Sequence, residues 1–138
     1  MIGILLITSE KIGNALLSAA KSTFTILPIP AIALEIKTED SHDKEAILLH
    51  AKKIIQQLDT GDGVLILTDL FGSTASNLAF SLIDTPEHFI EVVSGVSLPM
   101  LIRTFNYPTL SLQHAAQKAT SGGHDGIVSK TPVYESLL

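Results

Sequence analysis

One acid and a run of small hydroxyl residues share a single stretch, Thr68-Asp69-Leu-Phe-Gly72-Ser73-Thr74-Ala75-Ser76-Asn77, directly behind the apolar run Val64-Leu-Ile-Leu67. A carboxylate that closes an apolar strand either caps the next turn or holds a reacting group, since packing alone gives it no reason to be there. The glycine, the hydroxyls and the first amides of a following helix can together receive an anion, because unpaired helix N–H groups and the macrodipole both favour negative charge. A second strand-like run, Ile2–Ile7, ends in Thr8-Ser9-Glu10. In a parallel sheet both ends open on one crevice. Thr8, Ser9, Asp69, Gly72, Ser73, Thr74 and Asn77 are therefore read together as a candidate site for an anion or a phosphoryl group. An ordinary N-cap explains any of them alone; the combination carries the reading.

Other phosphate chemistries fail on spacing. There is no G-x-x-x-x-G-K-[ST] and no G-x-G-x-x-G after the first strand, which removes the P-loop and the dinucleotide fingerprint. A phospho-accepting aspartate of the receiver type needs further acids after the first strand, and Glu10 alone is thin support. The five histidines, His42, His50, His88, His114 and His124, include no H-x-x-x-H pair, so no zinc or other metal is expected. His42, His50, His88 and His114 read as surface polar residues. His124, in Gly-Gly-His-Asp-Gly, reads as a loop residue and is the histidine to test first if another carries chemistry.

The elements that must position these residues alternate along the chain. Strands are expected at Ile2–Ile7, Ile29–Ile36, Val64–Leu67 and Phe89–Val93, the second at a sheet edge because of its two prolines. A short fifth strand is possible around Ile127–Val128. Helices are expected over Glu10–Lys21, with the stripe Ile12, Ala15, Leu16, Ala19 and Ala20, and after an Asp40 or Ser41 cap, with the stripe Ile47, Ala51, Ile54, Ile55 and Leu58. Further helices are expected over Ser73–Ile83, Leu98–Phe105 and Ser111–Ser121, the last ended by Gly122-Gly123. Strands joined by helical crossovers give an α/β fold: a single-domain, doubly wound, mostly parallel sheet with helices on both faces. Such sheets bind ligands beyond the carboxyl ends of their strands, here Thr8, Asp69 and Ser94. The domain is taken as residues 1–128, with 129–138 as a tail that is either disordered or packed on a partner.

Composition narrows the class. At 138 residues, 46% of them apolar, one domain with a real core is expected. No apolar run approaches the ~20 residues of a membrane span, and the N-terminus has no signal-peptide pattern, so no membrane insertion is expected. Zero cysteines fit a reducing cytoplasm. A net charge of −5 gives no footprint for nucleic acid.

Three segments in order, the strand ending in Thr8, then Leu65-Ile-Leu-Thr-Asp-Leu-Phe-Gly-Ser-Thr-Ala-Ser-Asn77, then Val93-Ser-Gly-Val-Ser-Leu-Pro-Met-Leu101, resemble the mannose-type IIA component of the bacterial sugar phosphotransferase system. The resemblance runs from Met1 to about Gly126. It implies a doubly wound sheet, a cytoplasmic homodimer and a cofactor-free relay. A histidine of the family takes phosphate from the phosphocarrier HPr and passes it to a IIB component, which for this chain would be a separate protein. By the same resemblance Asp69 orients the acceptor, and Gly72, Thr74 and Asn77 shape the phosphoryl site. Gly95, Ser97, Pro99 and Met100 would form the pocket rim.

The family's histidine falls on Ser9. Its proline falls on Ala75, its second small residue on Ser73, and an asparagine of the last segment on Ser97. A phosphohistidine transfers onward through a labile P–N bond, whereas a serine ester would hold its phosphate. Serine also needs a base to act as nucleophile, and Asp69 is a weak one with an unperturbed pKa of about 4. The chain is therefore read as a IIA protein with an incapacitated acceptor, arising either by replacement of a histidine or by natural divergence into a regulatory module. An unrelated small-anion binder is the alternative from a different class.

Overall fold

The computed structural model describes residues 1–133. Its elements in order are β1 (Gly3–Ser9), α1 (Ile12–Phe24), β2 (Ala31–Ile36), a short 3-10 turn (Thr38–Asp40), α2 (Lys44–Leu58), β3 (Val64–Thr68), α3 (Thr74–Ser81), β4 (Ile90–Val93), α4 (Leu98–Phe105) and α5 (Leu112–Asp125). The four strands form one sheet in the order β2-β1-β3-β4. Every pairing is parallel, with Leu6 opposite Ala33 and Leu67, and Leu67 opposite Val93. β2 lies at an edge, as expected, with Pro28 and Pro30 just ahead of its first residue. The sheet is thus wholly parallel, and strand order reverses between β1 and β3.

β1 shows why its sequence is apolar without alternation. Leu5 and Ile7 face a core shared with α2 and α3, through Ile54, Ile55, Leu58, Leu78 and Leu82. Ile4 and Leu6 face the opposite core with α1, α4 and α5, through Leu17, Leu101, Phe105 and Ala119. A strand buried on both sides has no polar face to show. Full burial of each Leu or Ile contributes roughly 1.5–3 kcal/mol.

Several expectations need correction. Among the described residues no fifth strand forms: Ile127 and Val128 follow α5 as exposed, irregular chain. The part of the tail from residue 134 onward lies outside the described residues. α1 begins later and buries Gly13, Leu17 and Ala20, while Ile12 is exposed, so its inward face is rotated by about one residue from the expected stripe. Gly13 sits inward because a Cβ there would lie 2.9 Å from the Thr8 hydroxyl. Neither Asp40 nor Ser41 caps α2; Asp43 does, accepting the Ala46 amide.

Gly122-Gly123 does not stop α5, which continues to Asp125 and places His124 in its last turn. The glycines answer to close packing of α5 on α4. A Cβ on Gly122 would fall 2.5 Å from the Arg103 Cβ, and one on Gly123 would fall 2.9 Å from the Met100 Cε. Gly122→Val should therefore destabilise the fold. Overpacking costs about 1–3 kcal/mol, against a helix-propensity gain of only a few tenths. Chemical denaturation should show a lower midpoint at unchanged m; an unchanged midpoint would mean that α4 and α5 separate freely.

Candidate functional site

The crevice is assembled from three strand ends. Ser9 closes β1 and Asp69 immediately follows β3, and these two strands are neighbours at the point where strand order reverses. Asp69 uses both carboxylate oxygens. Its Oδ2 accepts the Ser9 amide at 2.6 Å, and its Oδ1 accepts the Leu70 amide at 2.7 Å and the Ser73 hydroxyl at 2.8 Å. Ser73 in turn caps α3, its Oγ accepting the Ser76 amide at 3.1 Å. One carboxylate therefore fixes the main chain at residue 9, the following turn and the start of a helix.

The third end arrives by backbone bonds. The Gly95 amide donates to the Asp69 carbonyl at 2.6 Å, and the Val96 amide to the Thr68 carbonyl at 2.9 Å. Ser97 then caps α4 by accepting the Met100 amide at 3.3 Å. Gly72 has φ +93°, which only glycine adopts without strain, and the Ser73 amide closes this turn on the Leu70 carbonyl. Gly72, Thr74, Asn77, Gly95 and Pro99 are exposed around the opening, with Ser9, Asp69, Ser73 and Ser97 half-buried.

Two expected site residues are placed otherwise. Thr8 is fully buried, and its Oγ1 accepts the Gly13 amide at 2.8 Å, so this hydroxyl closes the turn into α1 and is not presented to a ligand. The Met100 side chain is buried in the core beside α5 and does not line the rim. Among the histidines, His88 is not a surface residue: its Nδ1 lies 2.6 Å from the Asp59 Oδ2 at the opposite end of the sheet. His124 is exposed and far along the chain from the Asp69 turn.

Glu10 is the residue that sequence reasoning undervalued. It has φ +49°, and its carboxylate accepts both the amide and the hydroxyl of Thr38, at 3.0 and 2.8 Å. These bonds tie the end of β1 to the chain leaving β2 and hold the Glu10 carboxyl below its ordinary pKa. A non-glycine residue required in a left-handed turn leaves no mark on apolar periodicity.

Residues 3–120 match the EIIA-man family, described as the PTS system fructose IIA component. The chain belongs to that family. Over 50 residues it is 42% identical to the "PTS system mannose-specific EIIAB component" of Escherichia coli, a match covering 36% of this chain and 15% of that protein. The fold is shared with the phosphotransferase system component EIIA from Streptococcus agalactiae, at TM-score 0.79 and 22% identity over 94% of this chain and 97% of that one. It is shared equally with the mannose/sorbose specific IIA subunit from Enterococcus faecalis, at TM-score 0.80 and 20% identity over 96% and 97%.

For a mannose-type IIA component the charge state of Asp69 matters. Partial burial pushes its carboxyl up, but the bonds from the Ser9 amide, the Ser73 and Ser9 hydroxyls and the Leu70 amide outweigh this and hold it below the ordinary value. Such a carboxylate is a poor base at neutral pH, where an effective one has a pKa near 7. It serves as an anchor. Because its folded-state pKa is depressed, its contribution to stability is complete above the unfolded pKa near 4 and is lost as pH falls through the folded value. The stability difference between the protein and Asp69→Asn should therefore be largest at pH 6–7 and shrink below about pH 4. Urea titrations across that range check it; a pH-independent difference would mean that the carboxylate charge contributes nothing.

Proposed function

We propose that this chain has the frame of a phosphoryl relay, built to accept a phosphoryl group at position 9 from HPr and to pass it to a separate IIB component, and that Ser9 interrupts the relay. The observation that carries this reading is the Asp69 carboxylate, which holds the main chain of residue 9 beside the capped start of α3. The amides of Thr74 and Ala75 precede the first intrahelical acceptors and favour an anion there. Two buried hydroxyls at either end of the same turn, Thr68 Oγ1 and Ser76 Oγ, have no hydrogen-bond partner among the described residues.

The chemistry at position 9 decides the outcome. In a relay the donor's P–N bond breaks as the acceptor nitrogen forms its own, so the step is close to balanced and reversible. A serine oxygen would form a P–O ester, which is reluctant to transfer onward, and the depressed pKa of Asp69 leaves its hydroxyl without an effective base. No metal or organic cofactor enters this reading, and no sugar contacts the protein. Among the described residues no helix is long and apolar enough to cross a membrane; a cytoplasmic location is part of the proposal.

Intact mass should be measured after incubation with phosphoenolpyruvate, Enzyme I and HPr. The protein as it stands should gain no phosphoryl group and Ser9→His should gain one. Labelling of neither would favour a divergent regulatory or anion-binding module. Labelling of the serine form would sink the assignment of position 9.

A homodimer belongs to the same proposal and has its own support. Prolines guard the start of the β2 edge, but β4 has no such guard and no strand on its outer side among the described residues. Between β4 and α5 lies a groove of about 950 Å³, where the Glu91 Oε2 is buried without a hydrogen-bond partner among the described residues. Ile127, Val128 and Val133 leave α5 exposed to solvent. A second copy would cover both. Sedimentation should give a dimer, shifted toward monomer by Ile127→Ser with Val128→Ser; a monomeric parent would end this part of the reading.

A further inference from the structure

We propose that Leu70 and Phe71 are the apolar anchor on which the protein delivering the phosphoryl group docks, an inference that rests on the relay reading above. Both side chains are 73% exposed, although they directly follow the buried end of β3 and the site acid. Neither is loose. The Leu70 amide is bound by Asp69, the Leu70 carbonyl accepts the Ser73 amide, and the Phe71 ring stands edge-on to Phe80 of α3, centroids 5.6 Å apart. A turn fixed by its backbone bonds therefore holds two large apolar side chains outward beside the acceptor position, and the Phe71 ring, already seated on Phe80, has little ordering left to lose on binding.

Geometry says what covers them. Transfer requires donor and acceptor atoms to approach to about 3–3.5 Å. A phosphoryl group carried on a protein side chain therefore brings that protein's surface down around residue 9 and over the turn that follows Asp69. A free anion would need only amides and hydroxyls, and would leave Leu70 and Phe71 without a purpose. The other flank of the crevice is charged, with Glu10, Lys11 and Lys37 all exposed. An apolar, aromatic contact beside a charged margin is the anatomy of a protein–protein interface.

The test uses the full chain carrying Ser9→His, with and without Phe71→Ser or Leu70→Ser, and with Phe71→Leu as the conservative variant. Unphosphorylated HPr is titrated by calorimetry, and labelling is followed from phospho-HPr and, separately, from phosphoramidate as a small donor. Docking predicts that each serine variant weakens HPr binding about tenfold or more and raises KM for phospho-HPr. Phosphoramidate labelling should stay unchanged, which also shows that the site is folded, and Phe71→Leu should recover most of the affinity. Unaltered HPr affinity overturns the proposal, as does a parallel fall in labelling by both donors. Loss of self-association in place of HPr binding overturns it too, assigning the pair to a contact between copies. If HPr affinity falls in the serine variants but Ser9→His takes no phosphate from either donor, docking stands and the relay reading fails. If both donors label it and affinity does not change, the relay stands and docking fails.

Discussion

The carboxylate of Asp69 is the single group on which the crevice depends. It sits where β3 ends and binds the main chain at Ser9 on the neighbouring strand, the Leu70 amide of the following turn and, through Ser73, the start of α3. Hydrogen bonds to an ionised acceptor contribute roughly 1.5–3 kcal/mol, about twice a neutral bond. The same bonds keep the group ionised at neutral pH, so the anchor is self-consistent: its donors stabilise the charge that binds them. A site of this kind needs no metal to hold its shape.

Around that anchor, the strand ends share a second feature. β1, β3 and β4 are each followed within a few residues by a left-handed position: Glu10 at φ +49°, Gly72 at +93° and Gly95 at +80°. Each turns the chain sharply at the mouth of the crevice. Two use glycine, for which the conformation carries no steric penalty. The third uses Glu10, and its bonds to Thr38 offset a cost of about 1–2 kcal/mol. The sheet beneath supplies the rigidity, since β1 and β3 are its two central strands and are buried on both faces.

How much of this was legible in the sequence follows from how local each signal is. The strands, α2's apolar face, the span of α4 and the edge position of β2 rest on patterns within a few residues, and they appear in the fold. The strand ends named for the site, Thr8, Asp69 and Ser94, do converge, because parallel topology dictates where ligands lie. Long-range packing was not legible. Gly122-Gly123 has the composition of a helix stop, yet these residues let α5 approach Arg103 and Met100 of α4. Thr8 has the look of a ligand residue, yet its hydroxyl serves Gly13. His88 has the look of a surface histidine until Asp59, 29 residues earlier, is placed against it. In each case the deciding partner lies on another element.

The frame also explains how position 9 can change while the fold does not. Asp69 holds residue 9 through its backbone N–H, a bond open to any side chain at that position, although the Ser9 hydroxyl also helps to hold the Asp69 carboxyl below its ordinary pKa. Ser9 is half-buried, so its side chain is not part of either core. A change of side chain at position 9 therefore leaves the backbone bond to Asp69, the cap of α3 and the convergence of the three strand ends in place. Similarity of fold to IIA components is for that reason expected to survive whether position 9 transfers phosphate or not.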